Sequence, residues 1–404
     1  MNRICKISLS STLIICLIVL SLSKIDAQTK SGNLYPNYNT SPLPPDTTGM
    51  QSNAVQLAAK MRLGWNIGNT LEATGGETSW GNPMVNKELI DLVKKNGFNA
   101  IRIPCAWNIH LSDTITAKIN DAWIKRVKEV VDYCIQDELY VMLNIHWDGG
   151  WLENHNTSNY QAKNNAKQKV LWEQIATYFR NYDEHLMFAT TNEPSVENAE
   201  QMEVLLSYHQ TGIDAIRSTG GKNTYRCIVV QGPSTDIEKT YKLMHTMPND
   251  KTPNRLMAEI HYYTPFTFCG LDKDADWGKM AYYWGKDYHS KTDTLHNATW
   301  GEEDVAVKCF KMMKEQFVDK GIPVLMGEYG AIRRSNLTGE DLPLHLASRA
   351  YWLRYITKTA LENGCIPFFW DAGGSGANSW GLFNRNTNKI SDYQGLNAIM
   401  QGAK

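Results

Sequence analysis

The sequence predicts an α/β fold of one domain, a (β/α)₈ TIM barrel. Short apolar runs rich in β-branched residues alternate with longer amphipathic stretches along most of the chain. Several of the amphipathic stretches end in a glycine just before the next apolar run, as at Gly97, Gly221, Gly321 and Gly364, which is typical of helix C-termini. Strands separated by helices form parallel sheets with right-handed crossovers, and eight such units close into a barrel.

The eight predicted strands span residues 63–68, 98–104, 139–146, 185–193, 225–231, 256–263, 323–328 and 365–370. Helices are predicted in most of the gaps, at 87–96, 121–136, 166–180, 199–218, 303–320 and 344–362. The domain that contains them is expected to run from residue 54 to residue 404.

The N-terminus has the pattern of a secretory signal peptide over residues 1–27. Arg3 and Lys6 precede an apolar run from 9 to 22, and Ala27 offers a small residue for cleavage. The run is marginal in length for a membrane span, so an anchored N-terminus stays open as a minority alternative. We expect a secreted, periplasmic or cell-surface protein whose mature chain has no membrane span.

Residues 28–53 are rich in Ser, Thr, Asn and Pro, and positions 37–46 read NYNTSPLPPD. So little apolar content predicts a flexible linker or lead-in. For the last third of this segment, packing on the barrel is an equally good alternative.

The composition bears on partners and cofactors. The net charge is −1 and no basic block occurs, which argues against nucleic acid as a partner. Six cysteines follow residue 100 without a CxxC pair; we expect small buried side chains, and a disulfide or two stays open. Neither an HExxH motif nor a His/Cys/Asp cluster with metal-ligand spacing is present, so we expect no catalytic metal and no cofactor, in a monomeric protein.

Polar residues end most of the predicted strands. They include Arg102, His146, Glu193, His261 and Glu328. A buried charge without a partner is costly, and the active site of a (β/α)₈ barrel lies at the C-terminal ends of its strands. We therefore expect these side chains to converge on a polar ligand.

Two glutamates at strand ends predict the chemistry. Glu193 lies in NEP at 192–194 on strand four, and Glu328 lies in GEYG at 327–330 on strand seven. The glycines beside Glu328 are expected to let backbone and substrate approach closely. Strands four and seven face each other across the barrel, and a glycoside hydrolase needs two opposed carboxyl groups, ~5–5.5 Å apart in a retaining enzyme.

These motifs resemble glycoside hydrolase family 5, formerly cellulase family A, in its bacterial endoglucanases. The resemblance runs from about residue 63 to the C-terminus. Its motifs, in order, are GWNIGNTLEA at 64–73, IRIP at 101–104, NEP at 192–194, HYYTP at 261–265, GEYG at 327–330 and WD at 370–371.

The resemblance implies roles for the strand-end residues. It makes Glu193 the general acid/base and Glu328 the nucleophile. It implies that Arg102 and Tyr263 keep Glu328 ionised and oriented, since a cation and hydrogen bonds to the charged form lower a carboxyl pKa. It also implies that Asn192 binds the sugar 2-hydroxyl.

Further residues are implied around this pair. His261 is expected beside Glu193, where it helps to set the protonation of that group. His146 and Trp370 are expected to shape the subsite in which the sugar ring is distorted. Trp147 stands where relatives often carry a second histidine, and it is a candidate for stacking on a sugar.

Aromatic residues indicate a polysaccharide substrate. The chain has 13 Trp and 19 Tyr, and many of the Trp follow predicted strands. The long segment after strand six includes Trp277 and Trp284, which we expect to be sugar platforms, because long loops in compact domains tend to be functional.

The sequence thus predicts a retaining endo-β-1,4-glucanase, a hydrolase acting on cellulose-type, mixed-linkage or xyloglucan chains by double displacement. A β-1,4-mannanase on the same fold is the first alternative. A carbohydrate-binding protein without catalytic activity is the second, since a fold does not determine a function.

Overall fold

The computed structural model describes residues 34–404, in which eight parallel strands close into a barrel. The strands are β1 (Gly64–Ile67), β2 (Ala100–Ile103), β3 (Tyr140–Asn144), β4 (Leu186–Ala189), β5 (Ile228–Gln231), β6 (Leu256–Tyr262), β7 (Val324–Tyr329) and β8 (Cys365–Asp371). Each pairs with its neighbours in chain order, and β8 closes on β1 with Phe368 opposite Gly64. All eight predicted strands are confirmed, with ends shifted by a few residues.

One helix packs outside the barrel after each strand. The helices are α1 (Lys87–Lys95), α2 (Asp121–Gln136), α3 (Ser158–Tyr178), α4 (Ala199–Ser218), α5 (Ile237–Leu243), α6 (Glu303–Gln316), α7 (Asp341–Glu362) and α8 (Tyr393–Gly402). Asparagine side chains cap the first turns of α1, α2 and α4. The six predicted helices are confirmed, whereas α5 and α8 were not predicted.

Two short helices and two antiparallel ribbons lie outside the eight strands and eight helices of the barrel. Short helices lie at Ala54–Ala58 and Phe266–Cys269, and antiparallel ribbons join Leu111–Asp113 to Lys118–Ile119 and Phe383–Asn384 to Lys389–Ile390. Residues 35–404 form one compact unit. Within residues 34–404, no helix is long and apolar enough to cross a membrane.

The prediction of a flexible linker is wrong for most of residues 34–44, and for residues 45–53 the structure shows the alternative, packing on the barrel. The strand Leu43–Pro45 pairs in parallel with Gly220–Gly221. The Tyr38 backbone N–H donates to Glu173 at 3.0 Å, and Ser52 donates twice to the buried Glu184 at 2.8 Å. Hydrogen bonds to the barrel hold this segment in place of apolar burial, which is why its polar composition was misleading. The predicted signal peptide and residues 28–33 lie outside the described residues.

The inside of the barrel is filled with apolar side chains. Met142, Met187, Met257 and Phe368 form an inner cluster, against which Leu57 of the helix Ala54–Ala58 packs. A larger cluster fills the layer between strands and helices. A packed interior leaves the C-terminal ends of the strands as the place where polar side chains can gather. All six cysteines from Cys105 to Cys365 are buried and free, so the disulfide that the sequence left open is not formed.

Candidate active site

The strand-end residues of β2, β4, β6 and β7 meet at the C-terminal mouth of the barrel. Arg102 lies in β2, Glu193 follows β4, His261 lies in β6 with Tyr263 just beyond it, and Glu328 lies in β7. Because the strands are parallel, their ends share one face, and the side chains are joined by the direct contacts described below.

Glu328 is held by a cation and a phenol. Arg102 Nη1 lies 2.7 Å from its Oε1, and the Tyr263 hydroxyl donates to its Oε2 at 2.9 Å. Its side chain is 8% exposed. Burial raises the pKa of Glu328, although His261 and Arg102 act against that rise. The expected contacts are present, but burial outweighs the lowering of the pKa that the sequence predicted.

Glu193 lies in a more open position. Its Oε1 is 2.7 Å from His261 Nδ1, and its side chain is 44% exposed. Burial acts to raise the pKa of Glu193, but His261 and Arg102 outweigh it, so the pKa is lowered. The Glu193 backbone N–H donates to Glu153 Oε1 at 2.7 Å, and burial raises the pKa of Glu153 to about 7.

His261 connects the two glutamates. Its Nδ1 also lies 3.7 Å from Glu328 Oε2, and its Nε2 lies 3.2 Å from Glu259 Oε1. Burial favours the neutral imidazole, yet the surrounding carboxylates Glu328, Glu193 and Glu259 outweigh it and raise the pKa of His261 to about 10. The proton of this cluster therefore belongs to a coupled group and not to one side chain.

The distances within this cluster define what it can do. One ligand atom each of Glu193, His261 and Glu328 lies within 4.8 Å of the others. Such a group has the residue types of a metal site, but the same atoms already contact Arg102, Tyr263 and one another. We therefore interpret it as a network that shares protons, and the absence of a catalytic metal stays a prediction.

A β-bulge next to Glu328 makes room for another side chain. The pairing of β7 with both neighbours shifts register at Gly327. A Cβ atom at Gly327 would lie only 1.9 Å from Glu259 Oε1. The close approach expected from this glycine is thus made by a buried carboxylate of β6.

His146 and Trp370 lie together at the ends of β3 and β8. Their rings are nearly parallel, with centroids 6.0 Å apart. His146 Nδ1 is 3.1 Å from the Asn144 amide nitrogen, so Nδ1 accepts and Nε2 carries the proton. Burial, with help from the nearby Arg102, holds the pKa of His146 well below its usual value, so the ring is neutral.

Comparisons with known proteins agree with this geometry. The sequence profile of the cellulase family, glycosyl hydrolase family 5, matches residues 66–376. A xyloglucan-specific endo-β-1,4-glucanase of Bacteroides ovatus is 37% identical over 89% of this chain and 72% of its own length. Endoglucanase A of Paenibacillus barcinonensis is 36% identical over 86% of this chain and 90% of its own.

A solved structure extends the likeness to three dimensions. The structure of a Bacteroides ovatus family 5 xyloglucanase in complex with an XXXG heptasaccharide superimposes with a TM-score of 0.83 at 34% identity. The match covers 92% of this chain and 80% of the other. The chain belongs to glycoside hydrolase family 5. It is a glycoside hydrolase with the (β/α)₈ barrel of that family.

The tryptophans of this family 5 enzyme divide into exposed and buried rings. Trp147 at the end of β3 is 40% exposed, and Trp277 in the segment after β6 is 66% exposed. Trp284, in the same segment, is fully buried, and its indole N–H donates to the Gly301 carbonyl at 2.8 Å. The prediction that Trp284 is a sugar platform is wrong, because its ring packs against Tyr351 and Tyr355 of α7.

Sequence reasoning missed several polar residues that support this family 5 site. Asn66 in β1 accepts from Arg102 Nη1 at 3.1 Å, on the same guanidinium whose Nη2 donates to the predicted site residue Asn192 at 2.6 Å. Glu259 lies two residues before His261, and alternation along a strand directs both side chains to the same face. That spacing was the signal by which Glu259 could have been found.

Proposed function

We propose that this protein is a retaining endo-β-1,4-glucanase, with Glu328 as nucleophile and Glu193 as general acid/base. One observation carries the proposal: a carboxylate oxygen of Glu193 lies within 4.8 Å of one of Glu328. Carboxyl groups ~5–5.5 Å apart suit a double displacement, whereas inverting enzymes need ~6.5–9.5 Å to admit a water.

In the first step, Glu328 attacks the anomeric carbon while Glu193 protonates the departing glycosidic oxygen. The C–O bond breaks, and the sugar becomes esterified to Glu328. Arg102 and Tyr263 hold the attacking carboxylate in place through contacts of 2.7 and 2.9 Å. Each of these contacts also limits the orientations open to the nucleophile.

The proton for this step comes from the pair of Glu193 and His261. In the empty site Glu193 and the buried imidazole of His261 share this proton across a 2.7 Å contact, and Glu193 is partly exposed. A bound sugar covers Glu193, and desolvation raises a carboxyl pKa. The proton then moves across the 2.7 Å contact from His261 Nδ1 to Glu193 Oε1 and on to the leaving oxygen.

In the second step, water releases the sugar from Glu328. The pair of Glu193 and His261 has given its proton to the leaving oxygen, and glycosylation removes the negative charge of Glu328, so the pair stays unprotonated until water attacks. Glu193 accepts a proton from the attacking water, and the ester bond to Glu328 breaks. The product keeps the β-configuration.

Hollows on either side of β7 support binding within a long chain. One of about 300 Å³ lies beyond β1 and β8, lined by Asn69, Asn82 and Trp380. Two more, of about 520 and 540 Å³, lie beyond β6 and share Trp300 in their linings. These hollows therefore lie next to the strands that neighbour β7, the strand that carries Glu328.

The relatives favour a β-1,4-glucan backbone and, within that class, xyloglucan. One is named a xyloglucan-specific endo-β-1,4-glucanase, and one solved structure holds an XXXG heptasaccharide. Mannan hydrolysis, the first alternative from sequence, has no comparable support. The second alternative, a protein without catalytic activity, is disfavoured because both carboxylates keep their partners Arg102, Tyr263 and His261.

The test is hydrolysis of four polysaccharides: xyloglucan, mixed-linkage glucan, carboxymethyl-cellulose and β-mannan. The release of reducing ends and the fall in viscosity are measured for each. We expect a rapid fall in viscosity on glucans, fastest on xyloglucan, and proton NMR of the first product should show the β-anomer. Glu328→Gln protein serves as the control for contaminating activity. An α-anomer, or hydrolysis of mannan alone, would contradict the proposal.

We also propose that the enzyme is exported through the segment 1–27 and acts on its polysaccharide outside the cytoplasm, as a monomer. The support is the order of charged, apolar and small residues at the N-terminus. Mass spectrometry should find a mature N-terminus near Gln28, and light scattering should give the mass of one chain. Intact Met1 on a cytoplasmic protein would contradict export.

A further inference from the structure

Glu259 is a third carboxylate of the active site, and it touches neither the solvent nor the space for a sugar. We propose that Glu259 is a positioning residue that orients the nucleophile through Arg102 and the acid/base through His261. The inference rests on the proposed function of Glu328 and Glu193 and names the residue that links them.

Its contacts place Glu259 at the centre of the network. Its Oε1 lies 2.9 Å from Arg102 Nε and 3.2 Å from His261 Nε2. Its Oε2 accepts a hydrogen bond from Gln231 Nε2 of β5. The side chain is completely buried, and the missing Cβ of Gly327 leaves the room that it occupies.

Two of the side chains that Glu259 contacts are Arg102 and His261, and each of these also contacts a catalytic glutamate. Glu259 forms a buried ion pair on the Nε side of Arg102, while Arg102 Nη1 reaches Glu328 and Nη2 reaches Asn192. A guanidinium is planar, so an ionised carboxylate beside Nε restrains the direction in which the other two nitrogens point. His261 is bound by Glu259 at Nε2, and that contact directs Nδ1 to Glu193.

The charge of Glu259 matters as much as its position. It faces Arg102 from β2, Gln231 from β5, His261 from its own strand, and Gly327 beside Glu328 from β7. Burial favours the neutral carboxyl, but Arg102 and His261 outweigh it and lower the pKa of Glu259. An ionised Glu259 stabilises the imidazolium of His261 and offsets part of the charge of Arg102.

Removing that negative charge has a direction that can be worked out. Without it, the pair of Glu193 and His261 loses its proton at lower pH, because the positive form is less stabilised. Glu328 also ionises at lower pH, since Arg102 is no longer partly neutralised. Both limbs of the bell-shaped pH profile of kcat/KM should therefore move to lower pH.

The experiment compares Glu259→Gln, which removes the charge, with Glu259→Asp, which keeps the charge and shortens the side chain. Glu184→Gln is the matched control, because Glu184 is also buried but binds Ser52 at the other end of the barrel. Readouts are kcat, KM and the pH profile on xyloglucan, thermal melting, and the His261 ring signals by nitrogen-15 NMR.

We expect Glu259→Gln to lose roughly 10²-fold or more in kcat with little change in KM, as for a loss of general acid–base function. Its bell should move to lower pH, and its His261 should become neutral at lower pH than in the wild type. Glu259→Asp should keep the wild-type bell at reduced kcat, and Glu184→Gln should change melting alone.

The inference would be overturned if folded Glu259→Gln showed the wild-type pH profile of kcat/KM and the wild-type titration of His261. If Glu259→Gln does not fold, Glu259→Asp decides: wild-type kcat would overturn it, and reduced kcat with a wild-type bell would support it. Should the wild type cleave no β-glucan, the proposed reaction fails, but the NMR titration still tests the link between Glu259 and His261.

Discussion

The floor and the rim of the active site differ in how exposed their side chains are and in how many contacts hold them. The floor consists of Arg102, Glu259, His261 and Glu328 at the strand ends, all at most 8% exposed and all joined by contacts of 2.7–3.7 Å. The rim is the segment 265–302 after β6, where Phe266, Trp277, Leu295 and Trp300 are 50–66% exposed.

This difference indicates that the floor carries out the reaction, whereas the rim determines how much of a long substrate is bound. A side chain with several fixed partners cannot change without disturbing the groups that react, so the floor should affect every substrate alike. An exposed ring at the rim contributes only when a substrate is long enough to cover it. The rim itself is divided, because Trp284 lies inside it as a structural support.

The largest effect is expected at the floor, from Glu328→Gln. We expect kcat to fall by at least about 10⁴-fold, because no other group can form the covalent intermediate. Polymer and short chromogenic substrates should be affected equally. Measurement of kcat on both is the test, with an unchanged melting temperature as the control; a variant that keeps a tenth of the activity would remove Glu328 from this role.

The second effect, from Glu193→Ala, is expected to be smaller and to depend on the leaving group. Loss of acid/base catalysis should reduce kcat by roughly 10²–10⁴-fold on polysaccharide. A substrate with an activated leaving group should form the intermediate, and added azide should then restore turnover and yield a β-glycosyl azide. Mass spectrometry and NMR identify that product, and an α-linked azide would contradict the double displacement.

The third effect, from Trp284→Ala, tests the division within the rim. Removing a fully buried ring should lower the free energy of unfolding by about 3–5 kcal/mol. The folded fraction should keep most of its activity on short substrates, since the ring lies against α7 and away from solvent. Chemical denaturation measures the loss, and unchanged stability would show that the segment is not held by this side chain.

The smallest effect is expected from Trp277→Ala, a truncation of the same residue type in the same segment. Because the ring is 66% exposed, stability should change by less than about 0.5 kcal/mol. Activity should fall several-fold on polysaccharide and stay constant on short chromogenic substrates. Equal losses on both substrates would assign Trp277 to the structure of the loop and not to sugar binding.

Local patterns in the sequence were sufficient to predict most strands and helices of the barrel. Alternating apolar runs and helical patterns were sufficient for all eight strands, and the strand ends led to Glu193 and Glu328 as neighbours. This worked because parallel strands bring their C-terminal ends to one face whatever the loops do. The glycines at Gly97 and Gly364 marked helix ends, and both adopt positive φ values.

Tertiary structure alone decided the features that depend on distant neighbours. The polar segment 34–53 is ordered by hydrogen bonds to residues more than a hundred positions away, and Trp284 is buried because α7 covers it. The pKa directions of Glu193 and Glu328 follow from burial and from the charge of His261 and Arg102. Composition and spacing determine which groups can meet, whereas desolvation and contact distance, set only in the closed barrel, determine the charge that each group carries.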